Sequence, residues 1–320
     1  MKVGFIGLGG IGKPMAINIA KSGFDLTVTD LREQPLNELA HYGARVAASA
    51  REVSEISDLV LASLPSDLVS EEVALGSNGV LAGAKSGDIY VELSTISPGL
   101  VHTIAKKASD KGVAVLDAPV SGGLAQRLDG TLSIMVGGEA KTLSKAMPVF
   151  KTFGDKIFHA GGSGAGASVK LVNNMLAGIN MVATMEALVL GVKAGLRVET
   201  LKEVIGASSG ANKVFEGLVD KIYLHSAEPS HGQTANQGLH TIGKDVRLAN
   251  EMAQNLSVPL LLGSAALQPF LAGLANDWAH KEYWVIMELF EQMSGVRAVS
   301  NTHLTLPTSD LVKISVVAVS

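Results

Sequence analysis

No cysteine occurs among the 320 residues. Disulfides, thiolate metal sites and a cysteine nucleophile are therefore excluded. Charge is sparse at 18% of residues, and the formal net charge is −4. With a sequence pI of about 6.1, the chain lacks the basic excess that neutralises a nucleic-acid backbone, and no nucleic-acid partner is expected. The eight histidines are scattered. His225, His231 and His240 fall loosely together without a metal-pair spacing, so no metal is expected. The opening MKVGFIGLGG has no extended basic stretch and no small-residue cleavage site behind a continuous apolar run, so a secretory leader is not expected. Leu171 to Val192 is long and apolar enough to span a membrane. It contains Asn173, Asn174, Asn180 and Glu186, however, with Lys170 at its mouth. A buried helix of a soluble, cytoplasmic protein accounts for those polar residues, and no membrane partner is expected.

What the chain has in quantity is apolar residues, 47%, and glycine, 35 residues. At this length it can form two domains with a sizeable core. Through residue 160, short β-rich runs (VGFIG, LTVTD, LVLAS, IYVEL, VAVLDAP, LSIMVGG, KIFHAG) alternate with helical patterns. That alternation predicts an α/β fold built on a parallel, doubly wound sheet. After Gly166 the pattern becomes helical, over 167–194, 199–207, 213–224, 238–256, 260–275 and 281–293. The expected organisation is a nucleotide-binding domain over 1–162, an all-helical C-terminal domain over 163–296, and an atypical tail over 297–320. The Thr/Ser/Val-rich stretch 301–320 carries no helical period and stands outside the fold argument.

The stretch VGFIGLGGIGKPMAINIAKSGFDLTVTD places Gly7, Gly9 and Gly12 as G-x-G-x-x-G between an apolar strand and a helix. A second strand ends in Asp30. This is the dinucleotide fingerprint in its required context, a Rossmann-type unit. Gly7 permits the tight turn, Gly9 lets the backbone approach a pyrophosphate, and Gly12 allows close packing of helix on strand. The turn Gly7, Leu8, Gly9, Gly10, Ile11 and Gly12, with Asp30 and Leu31, is the candidate cofactor site. Asp30 can accept from both hydroxyls of the adenine ribose and repel a 2′-phosphate, which favours NAD. Arg32 is the counter-argument that leaves NADP open.

Further motifs follow: Leu64-Pro65, ELSTISP at 92–98, DAPVSGG at 117–123, a glycine hinge from Gly161 that runs to Lys170, and GKDVRLA at 243–249. In this order and spacing, over residues 2 to about 296, the chain resembles the β-hydroxyacid dehydrogenases, such as 3-hydroxyisobutyrate dehydrogenase and tartronate semialdehyde reductase. The resemblance implies an NAD(P)-dependent oxidoreductase that interconverts a small 3-hydroxy acid and its semialdehyde or keto acid. It implies Lys170 as the catalytic lysine and Asn174, one turn on, as a substrate-holding catalytic partner beside Asn173. It further implies Ser121, Gly122 and Gly123 as the substrate-carboxylate loop, Thr95 beside the nicotinamide ribose, Lys244 over the cofactor, and Leu64 and Pro65 along the nucleotide cleft. Relatives of this kind associate through their helical domains, so a homodimer or homotetramer is expected.

The residue types make chemical sense alone. Alcohol oxidation needs a group that receives the hydroxyl proton, and a lysine does so near neutral pH when desolvation or a nearby cation lowers its pKa. Lys170 and Asn174 share a helix face. Taken singly, Lys170 also fits a solvated helix start, Asp117 a turn cap, and Asp245 a simple partner for Lys244 or Arg247. Gln126 and Arg127 stand where the family tends to have small residues. With His240 and Asn212, they point to a more hydrophilic or more anionic substrate, tartronate semialdehyde being one alternative. A phosphogluconate-type decarboxylating dehydrogenase would need a longer helical domain. A non-catalytic nucleotide sensor would have no need of Lys170.

Overall fold

The computed structural model describes residues 1–220 and 238–298. The expected tail falls almost wholly outside the described residues, as do His225 and His231. The strands are β1 (Lys2–Ile6), β2 (Asp25–Thr29), β3 (Arg45–Val46), β4 (Leu59–Ala62), β5 (Ile89–Glu92), β6 (Ala114–Asp117), β7 (Val120–Ser121), β8 (Leu132–Gly137) and β9 (Gly154–Gly161). Between them run α1 (Gly12–Lys21), α2 (Glu33–His41), α3 (Ala50–Ile56), α4 (Asp67–Leu75), α5 (Val80–Gly83), α6 (Pro98–Ser109), α7 (Leu124–Asp129) and α8 (Ala140–Phe150). The remainder is helical: α9 (Ala165–Lys193), α10 (Val198–Gly206), α11 (Lys213–Val219), α12 (Leu239–Asn255), α13 (Leu261–Ala275), a 3-10 turn at Tyr283–Ile286, and α14 (Met287–Ser294).

The sheet order is β3-β2-β1-β4-β5-β6-β8-β7, with β9 added on β8. From β3 to β6 every pairing is parallel. Strands β4 and β5 are buried along their whole length, as central strands covered on both faces must be. The expectation of an α/β doubly wound sheet followed by helices therefore holds. One departure is local: β8 runs antiparallel to β6 and β7. A parallel return needs a crossover of a dozen or more residues, usually a full helix. The connection from β6 spends its length on the two-residue β7 and the six-residue α7 instead.

Two apolar layers pack on the sheet. Phe5, Val28, Leu61, Val91, Ile134, Phe150 and their neighbours form one. Val60, Tyr90, Val101 and Ile104 belong to the other. Helix starts carry the caps that the sequence supplies: Ser49, Ser66 and Ser97 accept from amides of α3, α4 and α6, as N-cap serines do. Asn212 spends its side-chain oxygen on the amides of Val214 and Phe215 at the start of α11, 3.0 and 2.9 Å away. Its role is that of a helix cap.

The chain divides into two compact units, Met1–Ile179 with Thr234–Tyr283, and Asn180–Gln233 with Trp284–Ser320. The first unit contains the whole sheet, the start of α9, α12 and α13. Every candidate site residue belongs to it.

Candidate active site

The glycine turn is built as its sequence requires. Gly7 has φ +88°, and a Cβ there would lie 2.3 Å from the Ser63 carbonyl. A Cβ on Gly12 would lie 2.0 Å from the Gly7 carbonyl, so only glycine lets the turn close onto the helix it opens. Over Gly9 and Gly10 a Cβ would meet nothing within 4 Å. The first turn of α1 has neither a side-chain cap nor an acidic residue. Free amides at a helix start beneath open space suit a diphosphate, so these residues fit a dinucleotide. Asp30 accepts from the Leu8 amide at 2.6 Å, and the Arg32 guanidinium forks onto the same carboxylate at 2.9 and 3.0 Å. Burial works to raise the Asp30 carboxyl, but the Arg32 and Leu8 hydrogen bonds and the guanidinium charge hold it below the ordinary value of 3.8. Leu31 is fully exposed.

Along the neighbouring strand ends a buried chain of hydrogen bonds sets the next loops. The Tyr90 hydroxyl donates to Glu92 at 2.8 Å, the Ser94 amide donates to Glu92 at 2.9 Å, and the Leu64 amide donates to the Ser94 hydroxyl at 2.7 Å. Burial pushes the Glu92 carboxyl up. Leu64 is thereby fixed, with Pro65 exposed beside it.

Lys170 is 8% exposed on α9, and its ammonium has no hydrogen-bond partner among the described residues. Burial lowers its pKa from the ordinary 10.5; Asp245 opposes this, and the charges of Lys244 and Arg127 lower it further. One turn on, Asn174 donates Nδ2 to Asp245 at 2.6 Å and accepts from Asn173 at 3.0 Å. Lys244 forms an ion pair with the other Asp245 oxygen at 3.0 Å and donates to the Thr95 carbonyl at 2.6 Å. Thr95, Lys244, Asp245, Asn174 and Asn173 thus form one linked chain around Lys170. Arg247 points elsewhere, to Glu251. His240 is held by the Ala279 carbonyl at 2.8 Å and packs edge-on against His280.

The start of α9 is tied to the sheet by Asp117. Its two carboxylate oxygens accept from the Gly164 and Ala167 amides, both at 2.8 Å. Gly166 lets the helix come close, since a Cβ there would lie 2.2 Å from the Met135 carbonyl. Burial pushes the Asp117 carboxyl up while these amides pull it back.

Ser121 ends β7, and Gly122 and Gly123 lead into α7. The Gly123 amide already donates to the Gln126 side chain at 2.9 Å. The Ser121 hydroxyl and the Gly122 amide remain as the donors a carboxylate could use. Asp245, Asp117, Glu92 and Arg127 are the residues that motif reading did not assign to the site. Two of them carried a signal: Asp245 by its place beside Lys244, and Arg127 by standing where the family tends to have small residues.

Two family models cover the chain: the NAD-binding domain of 6-phosphogluconate dehydrogenase over residues 2–162, and the NAD-binding domain of NADP-dependent 3-hydroxyisobutyrate dehydrogenase over 164–289. The 2-(hydroxymethyl)glutarate dehydrogenase of Eubacterium barkeri is 40% identical, covering 92% of this chain and 97% of its own. The NAD-dependent L-serine dehydrogenase of Pseudomonas aeruginosa is 38% identical over 92% and 99% of the two chains. The Mycobacterium tuberculosis 3-hydroxyisobutyrate dehydrogenase, solved with L-serine, superposes with a TM-score of 0.80 at 29% identity, covering 90% of this chain and 98% of that one. With the glycine turn, the buried lysine and relatives matched along nearly their full length, the chain belongs to the β-hydroxyacid dehydrogenase family of NAD(P)-dependent enzymes acting on CH–OH.

Proposed function

We propose that the protein interconverts a small 3-hydroxy acid and its semialdehyde or keto acid, with Lys170 as the group that takes and returns the hydroxyl proton. The observation that carries this reading is a buried lysine with a depressed pKa and no hydrogen-bond partner among the described residues, set beside the linked side chains of Asn174, Asp245 and Lys244. Bound nicotinamide would accept hydride from the carbinol carbon in oxidation and return it in reduction. In oxidation, the neutral Lys170 amine receives the hydroxyl proton, and in reduction the ammonium protonates the carbonyl oxygen. Asp245 holds Asn174, so the Asn174 amide is pre-set on the same helix face as Lys170. The Ser121 hydroxyl and Gly122 amide receive the substrate carboxylate. Thr95 and Lys244 border the cofactor, Lys244 being fixed by Thr95 and Asp245. The family-model limits at 162 and 164 support a domain boundary near residue 162, between a nucleotide-binding domain over 1–162 and a helical domain over 163–296. The long apolar helix α9 starts on the sheet and carries the polar Lys170, Asn173 and Asn174, which supports reading it as a helix of a soluble protein and not as a membrane span.

A more polar hydroxyacid than 3-hydroxyisobutyrate is the second reading. Arg127 beside the carboxylate turn favours it, as do the names of the two curated relatives. A screen of short hydroxyacids followed at the nicotinamide absorbance, with both NAD and NADP, tests the proposal. Turnover of none of them would contradict it.

The cofactor is expected to be NAD. A 2′-phosphate on the adenine ribose would meet the Asp30 carboxylate and would have to draw Arg32 off it. We expect kcat/KM with NAD to exceed that with NADP by about tenfold or more, since each factor of ten needs only about 1.4 kcal/mol. A tenfold preference for NADP would mean that Arg32 outweighs Asp30.

Assembly follows from what the helices leave uncovered. On α9, Val169, Val172 and Leu176 form an exposed stripe, and on α13 Leu261 and Leu262 are exposed. Exposed large apolar side chains grouped on helices in this way mark an interface, and closed symmetry is the usual outcome for a soluble homo-oligomer. Light scattering behind size exclusion at micromolar concentration should give the mass of two or four chains. The mass of one chain would refute this.

A further inference from the structure

Arg127 is 2% exposed, yet no carboxylate among the described residues pairs with it. Its guanidinium makes one hydrogen bond, from Nη1 to the Gly10 carbonyl at 3.5 Å, which is at the weak end of the range. The backbone around it is fixed: Asn18 of α1 donates to the Arg127 carbonyl at 3.2 Å, and Gln126 holds the Gly123 amide. Helix α7 therefore presents the guanidinium to the glycine turn from a position just past the Ser121–Gly122–Gly123 turn.

A buried cation without a counter-charge is costly. Apart from Lys170, the neighbouring cations already have one. Lys13 is paired with Glu38, Arg32 with Asp30, and Lys244 with Asp245. Arg127 is also near enough to Lys170 for its charge to help lower the ammonium's pKa. Among the described residues, the glycine turn's own neighbours offer an anion amides, their cations Lys13 and Arg32 being paired already. We infer that Arg127 is an anion-binding residue of the cleft, its guanidinium taking an anionic oxygen of a ligand seated between the glycine turn and the Ser121–Gly122–Gly123 turn.

Two ligands bring such an oxygen: the cofactor, as a diphosphate, and the hydroxyacid, as a carboxylate. The contact with Gly10 favours the diphosphate. The inference rests on the proposed reading of these turns as a cofactor and substrate cleft. The test uses Arg127→Met and Arg127→Lys, compared with the wild type at matched thermal melting; Arg127→Gln replaces the methionine variant if that one does not fold. NADH binding is followed by fluorescence titration, and KM is measured at saturating NAD for hydroxyacids with one and with two carboxylates. Loss of a charge-assisted hydrogen bond should cost roughly tenfold to hundredfold. In Arg127→Met that loss falls on the NADH Kd if the diphosphate is the ligand, or on KM with Kd intact if the carboxylate is. Arg127→Lys recovers part of the loss in either case. Kd and KM values within twofold of wild type in Arg127→Met, or equal losses in the methionine and lysine variants, would overturn the inference alone. Failure of the wild-type protein to bind NADH would overturn the cofactor reading and this inference with it.

Discussion

Lys170→Met is expected to lower kcat by about 10²–10⁴-fold, the usual cost of removing a general acid or base, while NADH binding stays nearly unchanged. Methionine matches the length and volume of the lysine stem without its charge. Lys170 is buried, and its ammonium has no hydrogen bond to lose among the described residues. Removing it deletes a desolvation cost, so thermal stability should hold or rise as turnover collapses. A lysine that served the fold would behave in the opposite way. Retention of more than half the wild-type kcat would end the assignment.

Asp117→Ala should damage stability and turnover together. The two Asp117 oxygens are the acceptors for the Gly164 and Ala167 amides at the start of α9. The sheet makes room for the carboxylate with a glycine: a Cβ on Gly137 would lie 2.4 Å from Asp117 Oδ1. Each buried amide left unsatisfied costs about 1–3 kcal/mol, so a loss of roughly 3 kcal/mol is expected in urea unfolding. Lys170 stands one turn beyond Ala167, so fraying of this first turn displaces the proton-transfer group and lowers kcat. The Asp117 carboxylate is spent on the start of α9 and takes no hydrogen bond from the glycine turn, so NADH should bind as before. Asp117→Asn keeps one acceptor oxygen and should fall between alanine and wild type. An alanine variant within about 0.5 kcal/mol of wild type would remove Asp117 from this role.

The parts that sequence conveyed best are those whose geometry is local. Gly12 is needed because a Cβ there would meet the Gly7 carbonyl, five residues back, and Gly7 because the tight turn holds it at φ +88°. Asp30 lies at the end of the second strand of the same βαβ unit. The alternation of strands and helices led directly to the sheet, and helical spacing placed Lys170 and Asn174 on one face. The remainder depends on pairings across long stretches of chain. Asp245 meets Asn174 from 71 residues away, and nothing in GKDVRLA tells that its acid is buried while its arginine turns to Glu251. Asp117 reads as a turn residue until α9 returns to it from 47 and 50 residues further on. Gln126 reads as a substrate-facing departure, and its first duty is to occupy the Gly123 amide. The antiparallel β8 was hidden for a related reason: strand direction depends on the length of the connection, which an apolar run does not disclose.

The central claim is that Lys170 exchanges the substrate proton, and the pH dependence of kcat/KM in both directions tests it most directly. Burial lowers the lysine pKa below 10.5, and the charges of Lys244 and Arg127 add to this. Oxidation needs the neutral amine and reduction the ammonium. Oxidation should therefore rise, and reduction fall, as pH increases through the same depressed pKa, and both inflections should vanish in the residual activity of Lys170→Met. Profiles that stay flat up to the ordinary lysine range, or an inflection that survives in Lys170→Met, would contradict the account.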